Sequence, residues 1–373
     1  MRLLTVTHFY EEHGGGIERV AGQLNRQLKA LGHETIWAAS ESDTPPAPDT
    51  AEPVPLRCVN TIERLTGLPM PIPSPGALRR LGRAVAECDA VIIHDALYAT
   101  SVAALRAARR RGKPVLLVQH IAAIPFRSRI MRGVMGLANR MVSRPMLKAA
   151  DQVIFISGTT AAYFEGVRFR RPPVLAFNGV DVGLFRPAGP GEKAAARAAH
   201  ALAADGPVAL FVGRFVEKKG LNVLRALAAA RPDVLFVLAG GGPIDPAGWG
   251  LSNVAVRQGL AGERLASLYR AADAFVLPSV GEGYPLVVQE ALASGLPILC
   301  GAESARADPA AAPFLTGLPV DLNRPEATAT AFATALDAAL AAPANPGAAV
   351  FARDRYSWEG VARRYEAAIR ALT

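Results

Sequence analysis

Cysteine is scarce in this chain: Cys58, Cys88 and Cys300 lie far apart among 373 residues, and none falls in a Cys-x-x-Cys pair. That argues against a disulfide framework and a structural zinc site, and the three thiols read as small buried hydrophobes. No group of His, Cys, Asp and Glu has metal-ligand spacing, so no metal is expected. Long apolar runs are missing too. Although 51% of the residues are hydrophobic, no stretch approaches the roughly 18 to 20 unbroken apolar residues of a membrane-spanning helix. The apolar start, Leu3 to Val6, meets polar residues too soon for a signal-peptide core and lacks a small-residue cleavage site. A cytoplasmic location is the expectation.

Acidic residues are absent from Ala96 to Ala150, which holds eleven Lys or Arg within a formal net charge of +9. A helical projection of Arg129 to Lys148 puts Arg129, Arg132, Arg140, Arg144 and Lys148 on one side, with Ile130, Val134, Ala138, Met141 and Val142 opposite. Such a face suits an anionic membrane surface or an acidic acceptor. A solvated basic face over an ordinary core helix fits the same residues, since Pro145 interrupts the pattern. No aromatic residues alternate with these cations to stack bases, so nucleic acid is not an expected partner.

The length suits two domains, each burying its own core. Apolar runs alternate with helix-period segments throughout, the pattern of βα units around parallel sheets. Strands are predicted at Leu3 to Thr7, Thr35 to Ala39, Ala90 to Ile93, Val115 to Gln119, Val153 to Ile156 and Val174 to Phe177. A second series lies at Val208 to Val212, Val234 to Ala239, Ala274 to Leu277 and Ile298 to Cys300. Ile17, Val20, Ala21, Leu24, Leu28 and Leu31 keep helical spacing up to Gly32. The proline-rich stretches Ser40 to Pro55 and Pro69 to Pro75 read as exposed loops. Proline and glycine from Phe185 to Gly191 mark a change of domain. The expected division is residues 1–185 and 186–356, with a terminal helix over 357–373 packing back on the first domain.

In open parallel sheets, ligands bind beyond the carboxyl ends of the strands. Gly14-Gly15-Gly16 stands after the first strand and before a helix, where backbone can approach a phosphate or sugar. After Val208 to Val212 come Gly213, Arg214, Lys218 and Lys219; a planar fork and a compact cation together suit a diphosphate leaving group. A solvated charge cluster opening the next helix is the alternative. Gly240-Gly241-Gly242 ends another strand without side chains to obstruct a nucleotide, or forms a plain tight turn. After Ala274 to Leu277, the loop holding Glu282, Gly283 and Tyr284 leads through Pro285 into a helix with Leu286 and Glu290. Two carboxylates eight residues apart, the first before the helix, can address two hydroxyl-bearing parts of one elongated ligand. His120 and His94 also stand at strand ends, where a histidine handles protons or serves as a hydrogen-bonded structural residue.

These motifs, in this order, resemble the retaining family 4 glycosyltransferases. The match rests on Gly14 to Arg19, Asn178-Gly179-Val180-Asp181, Gly213-Arg214 with Lys219-Gly220, Tyr269 to Ser279, Glu282 to Glu290, Gly295-Leu296-Pro297 and Tyr356-Ser357-Trp358. The resemblance implies an α/β protein of the GT-B fold, with two Rossmann-like domains whose parallel sheets face across a cleft. It implies a nucleotide-sugar donor and a glycan or lipid-linked acceptor, in cell-surface polysaccharide or glycolipid synthesis. It implies that Arg214 and Lys219 hold the donor diphosphate, Glu282 the transferred sugar, Glu290 the ribose and Gly16 the donor, with His120 on the acceptor side. Gly15, Gly213, Gly241, Gly283, Tyr284 and Leu286 join the donor-binding set. By the same resemblance no metal or other cofactor is needed, the basic segment 96–150 is compatible with work at an anionic membrane surface, and the leaving phosphate takes the proton of the incoming hydroxyl. Two other readings of the same architecture are a sugar-nucleotide epimerase or phosphorylase and a non-catalytic sugar-nucleotide-binding subunit.

Overall fold

The computed structural model describes residues 1–60, 70–122, 129–342 and 345–373, with the backbone alone for 129–132. The chain divides into two units, Met1–Gly179 with Trp358–Thr373, and Val180–Ser357.

In the first unit the apolar runs become β1 (Arg2–Val6), β2 (Glu34–Ser40), β3 (Glu52–Leu56), β6 (Ala90–His94), β7 (Val115–Gln119), β8 (Gln152–Phe155) and β9 (Val174–Leu175), while β4 (Cys58–Val59) and β5 (Ile72–Pro73) pair separately. The parallel sheet runs β3-β2-β1-β6-β7-β8-β9. Successive side chains point to opposite faces, so Leu4, Val91 and Leu117 join a core under helices Pro75–Glu87, Ala99–Arg110 and Arg144–Ala149. Leu3, Ile92 and Leu116 meet Leu24 and Leu28 of helix Gly16–Ala30, and Val361, Tyr365 and Ile369 of helix Trp358–Arg370, on the other side. Helices on both faces explain why β6 and β7 are apolar along nearly their whole length.

Three local expectations need correction. The stretch Ser40 to Pro55 is not all loop: β3 occupies its end and continues the sheet beside β2. Pro53 and Pro55 fit there because an edge strand need not donate on its outer side. Likewise Ile72–Pro73 pairs with Cys58–Val59, and Pro75 begins a helix; Pro69 lies outside the described residues. The third concerns the basic helix. It continues through Pro145 because residues Asn139–Ser143 form a widened π turn between helices Arg129–Ala138 and Arg144–Ala149. The extra residue in that turn rotates the helix register. The buried face is therefore Asn139, Ser143, Met146 and Leu147, while Val134, Leu137 and Met141, 54%, 61% and 65% exposed, face solvent with Arg140 and Lys148. Side chains of Arg129, Ile130 and Arg132 lie outside the described residues.

The second unit carries β10 (Val208–Val212), β11 (Leu235–Ala239), β12 (Val254–Arg257), β13 (Ala274–Leu277), β14 (Ile298–Gly301) and β15 (Leu315–Leu318), in the parallel order β12-β11-β10-β13-β14-β15. Its outer strands β12 and β15 are only partly buried, so they lack the apolar runs that marked the inner ones. No helix among the described residues is long and apolar enough to cross a membrane.

Candidate functional site

At the carboxyl end of the second sheet, three loops are stitched together by backbone. Phe215 N–H donates to Gly241 O (2.8 Å), Ile244 N–H to Phe215 O (3.1 Å) and Val280 N–H to Lys218 O (2.9 Å). Glycine permits these approaches. A Cβ at Gly240 would sit 1.9 Å from Gly213 O, and one at Gly220, with φ +75°, would sit 2.1 Å from Pro278 O. Gly241 alone in its triplet has nothing within 4 Å of a Cβ position, which leaves its surface open.

This stitching brings Lys219 Nζ within 3.1 Å of Glu282 Oε2, with Lys218 Nζ 3.3 Å from Oε1. The Glu282 and Lys219 side chains are each 13% exposed. Arg214, assigned with Lys219 to the donor diphosphate, is exposed and, unlike Lys219, makes no ion pair with either glutamate among the described residues. The cations at Glu282 are both lysines, each a compact charge with three donors. Glu290 lies in helix Leu286–Ala293, where its Oε2 accepts from Tyr269 O–H at 2.7 Å. Gly283 and Leu286 are half-buried beside these groups in sequence, and Tyr284 is buried with its hydroxyl 3.1 Å from that of Tyr356. Local spacing does not reveal the Tyr269 and Tyr356 contacts, because tertiary packing creates them.

The first unit has its own cluster. His120 Nε2 lies 2.9 Å from His94 Nδ1, and burial lowers both pKa values, that of His120 to about 3. At neutral pH the pair shares one hydrogen bond between uncharged rings. Asp95, next to His94, has φ +67°, accepts a hydrogen bond from Gln119 Nε2, and is pushed by burial to a pKa of about 7.

Near it, the His8 Nε2 and Glu18 Oε1 atoms are 2.8 Å apart, and the His8 ring stacks on Tyr98 at 3.8 Å. Burial works against the Glu18 charge, yet the hydrogen bond and charge of His8, with its own backbone N–H, hold its pKa below the ordinary value. Glu18 fills the space beside Gly15, where a Cβ would lie 2.1 Å from its Oε2; Gly16 has nothing within 4 Å. The lack of a side chain at Gly15 therefore accommodates a carboxylate of the same helix turn, while Gly16 stays open to a ligand. A carboxylate two residues into a helix after a glycine run is a sequence signal for such an anchor.

Comparison with known proteins identifies the family. The profile of Glycosyltransferase Family 4 matches residues 14–184, and that of Glycosyl transferases group 1 matches residues 192–345. A D-inositol 3-phosphate glycosyltransferase of Segniliparus rotundus is 36% identical over 52% of this chain and 46% of its own length. A D-inositol 3-phosphate glycosyltransferase 2 of Catenulispora acidiphila is 31% identical over 87% of this chain and 82% of its own. The chain thus spans about half the length of the first relative and most of the second. Among solved structures, Anabaena Alr3699/HepE in complex with UDP superposes with a TM-score of 0.72 at 17% identity, covering 100% of both chains. At that identity the likeness concerns the fold, which the solved glycosyltransferases share.

Proposed function

Because the chain belongs to glycosyltransferase family 4, of the glycosyl transferases group 1, we propose that it moves a sugar from a nucleotide-sugar donor to a glycan or lipid-linked acceptor, keeping the anomeric configuration. The observation that carries this reading is the Lys218–Glu282–Lys219 cluster where the loops after β10 and β13 meet, a carboxylate between two cations. In this reading Lys219 neutralises charge building on the departing diphosphate, the largest single source of rate in such a transfer. Arg214, exposed and unpaired with the acids, is free to add a planar fork to a phosphate. Glu282 accepts hydrogen bonds from sugar hydroxyls, and Glu290, held by Tyr269, from the ribose. Gly213, Gly283 and Leu286 flank the donor, with the open surface of Gly241. The departing phosphate takes the proton of the incoming hydroxyl.

His120, neutral beside His94, serves as a hydrogen-bonding group for the acceptor rather than as a cation. These side chains, rather than a metal ion, are assigned the leaving-group charge, so turnover should persist in a chelator. Incubation with a panel of UDP-, GDP- and ADP-sugars should show transfer or slow donor hydrolysis that Glu282→Gln abolishes; unchanged turnover in that variant defeats the reading. Product analysis without acceptor separates an epimerase, which would still convert the sugar nucleotide.

Peripheral attachment to an anionic membrane is part of the same reading. A groove of about 520 Å³ between helices Pro75–Glu87 and Ala99–Arg110 is lined by Arg79, Arg83, Arg106, Arg110 and Arg111 with no acid. The same layer exposes Val134, Leu137 and Met141 beside Arg140, the mixture of apolar and basic groups that rests on anionic lipid.

A further inference from the structure

The loop bearing Glu282 is held at both ends. On one side Val280 N–H donates to Lys218 O, and Gly281 N–H to Glu303 Oε2 at 2.9 Å. On the other, Tyr284 is 4% exposed and its hydroxyl oxygen lies 3.1 Å from that of Tyr356. Tyr356, itself 0% exposed, donates to Asp308 Oδ2 at 2.5 Å. Asp308 is fully buried, receives Arg355 Nη2 at 2.8 Å and Arg355 Nε, and accepts from Ala310 N–H at 3.0 Å as the cap of the next helical turn.

Hydrogen accounting sets the direction of this chain. An ionised Asp308 only accepts, so the Tyr356 proton points to it, and the remaining Tyr356 lone pair receives the proton of Tyr284. The order is Tyr284 to Tyr356 to Asp308, with Arg355 balancing the charge. Tyr356 also closes helix Pro346–Tyr356, and its carbonyl accepts Val180 N–H at 2.7 Å, where Val180 forms a bridge with Ser357. These are the residues at which the chain enters and leaves the second unit.

We propose that Tyr356 is a positioning residue for Glu282: its hydroxyl, fixed by Asp308 and Arg355, holds Tyr284 and thereby sets where the Glu282 carboxylate stands. The proposal rests on the reading of Glu282 as the sugar-contacting acid. Only Gly283 separates Glu282 from Tyr284, so a buried anchor at Tyr284 limits the loop to a small set of conformations. Freeing it leaves the lysine contacts possible but their geometry unset, and a displacement on the order of 1 Å at a reacting centre costs up to about 100-fold in rate.

The experiment compares donor turnover and melting temperature in wild type, Tyr284→Phe, Tyr356→Phe, the double variant and Glu282→Gln. Each Phe variant keeps its ring; Tyr284→Phe loses the bond between the two hydroxyls, and Tyr356→Phe loses that bond and the one to Asp308. Each should lower kcat/KM for the nucleotide sugar about tenfold, chiefly through kcat. The double variant should be no slower than Tyr356→Phe, since both remove one shared path. Tyr284→Phe leaves the Asp308 bond to Tyr356 intact, so it tests the link even if Tyr356→Phe folds poorly. Additive losses in the double variant, or melting temperatures that fall while kcat/KM stays within twofold, overturn the proposal. If both Phe variants behave as wild type while Glu282→Gln is inactive, the positioning role fails and the site reading survives. If Glu282→Gln is itself unaffected, both fall.

Discussion

At the ends of the first sheet, His94 and His120 are kept uncharged by burial and Asp95 is pushed to a pKa of about 7, whereas at the ends of the second, Lys218 and Lys219 flank Glu282 with partial access to solvent. The pocket at the ends of β6 and β7 disfavours charge, while the loops after β10 and β13 concentrate it. The difference follows from local chemistry. Strands β6 and β7 deliver their polar residues into a buried pocket, where a lone ion is costly. The loop after β10 is stitched to the loop after β13, which leaves two cations and an acid to neutralise one another. In the proposed reaction the charged end manages a diphosphate and the neutral end a hydroxyl.

The contrast can be broken first at its charged side. Lys219→Ala should lower donor turnover about 10³-fold, with the fold intact by circular dichroism; Glu282 would keep Lys218 as its partner. On the neutral side, Asp95 has a folded pKa near 7 against an ordinary 3.8. A raised carboxyl pKa contributes stability that is present below about 4 and is lost as pH rises through about 7. Asp95→Asn removes that titration, so its stability relative to wild type, measured by denaturant, should rise by about 3 kcal/mol between pH 4 and pH 7. An unchanged difference across that range would mean that the pocket does tolerate charge.

A smaller contrast lies within the first unit. Helices Gly16–Ala30 and Trp358–Arg370 carry paired charges, such as Arg26 with Glu11 and Arg363 with Glu359, while the groove of the opposite layer is lined by arginines that form no ion pair among the described residues. Reversing Arg140 and Arg144 to Glu should cut binding to anionic phosphatidylglycerol vesicles roughly 30-fold and leave binding to neutral ones unchanged. The smallest expected effect is at Glu290: Tyr269→Phe removes the bond that holds its carboxylate and should raise the donor KM about fivefold.

Much of this was legible beforehand. Fully buried inner strands such as Val115–Gln119 and Val208–Val212 announce themselves by unbroken apolar residues, and the helix Gly16–Ala30 by its period. The edge strands Glu52–Leu56, Val254–Arg257 and Leu315–Leu318 were hidden because half-exposed backbone needs no such run. The basic helix misled because the register of its apolar face depends on a π turn, a local feature that spacing does not reveal. At the site, residue identities could be read from motif order, but partners could not. Arg214 and Lys218 are both cations near a strand end, and only the stitch from Val280 to Lys218 decides which one meets Glu282. Tyr356 lies more than seventy residues from Tyr284 in sequence, so nothing local links them.

The central claim is that Lys219 and Glu282 together form the seat of a nucleotide sugar. Calorimetric titration of the full chain with UDP and GDP, and with the corresponding sugar nucleotides, tests it most directly. The account predicts saturable binding of at least one nucleoside diphosphate, weakened about tenfold or more in Lys219→Ala, with Glu282→Gln losing only the additional affinity conferred by the sugar. Equal affinity for the bare diphosphate in wild type and Lys219→Ala, or no binding of any of these ligands to wild type, would contradict it.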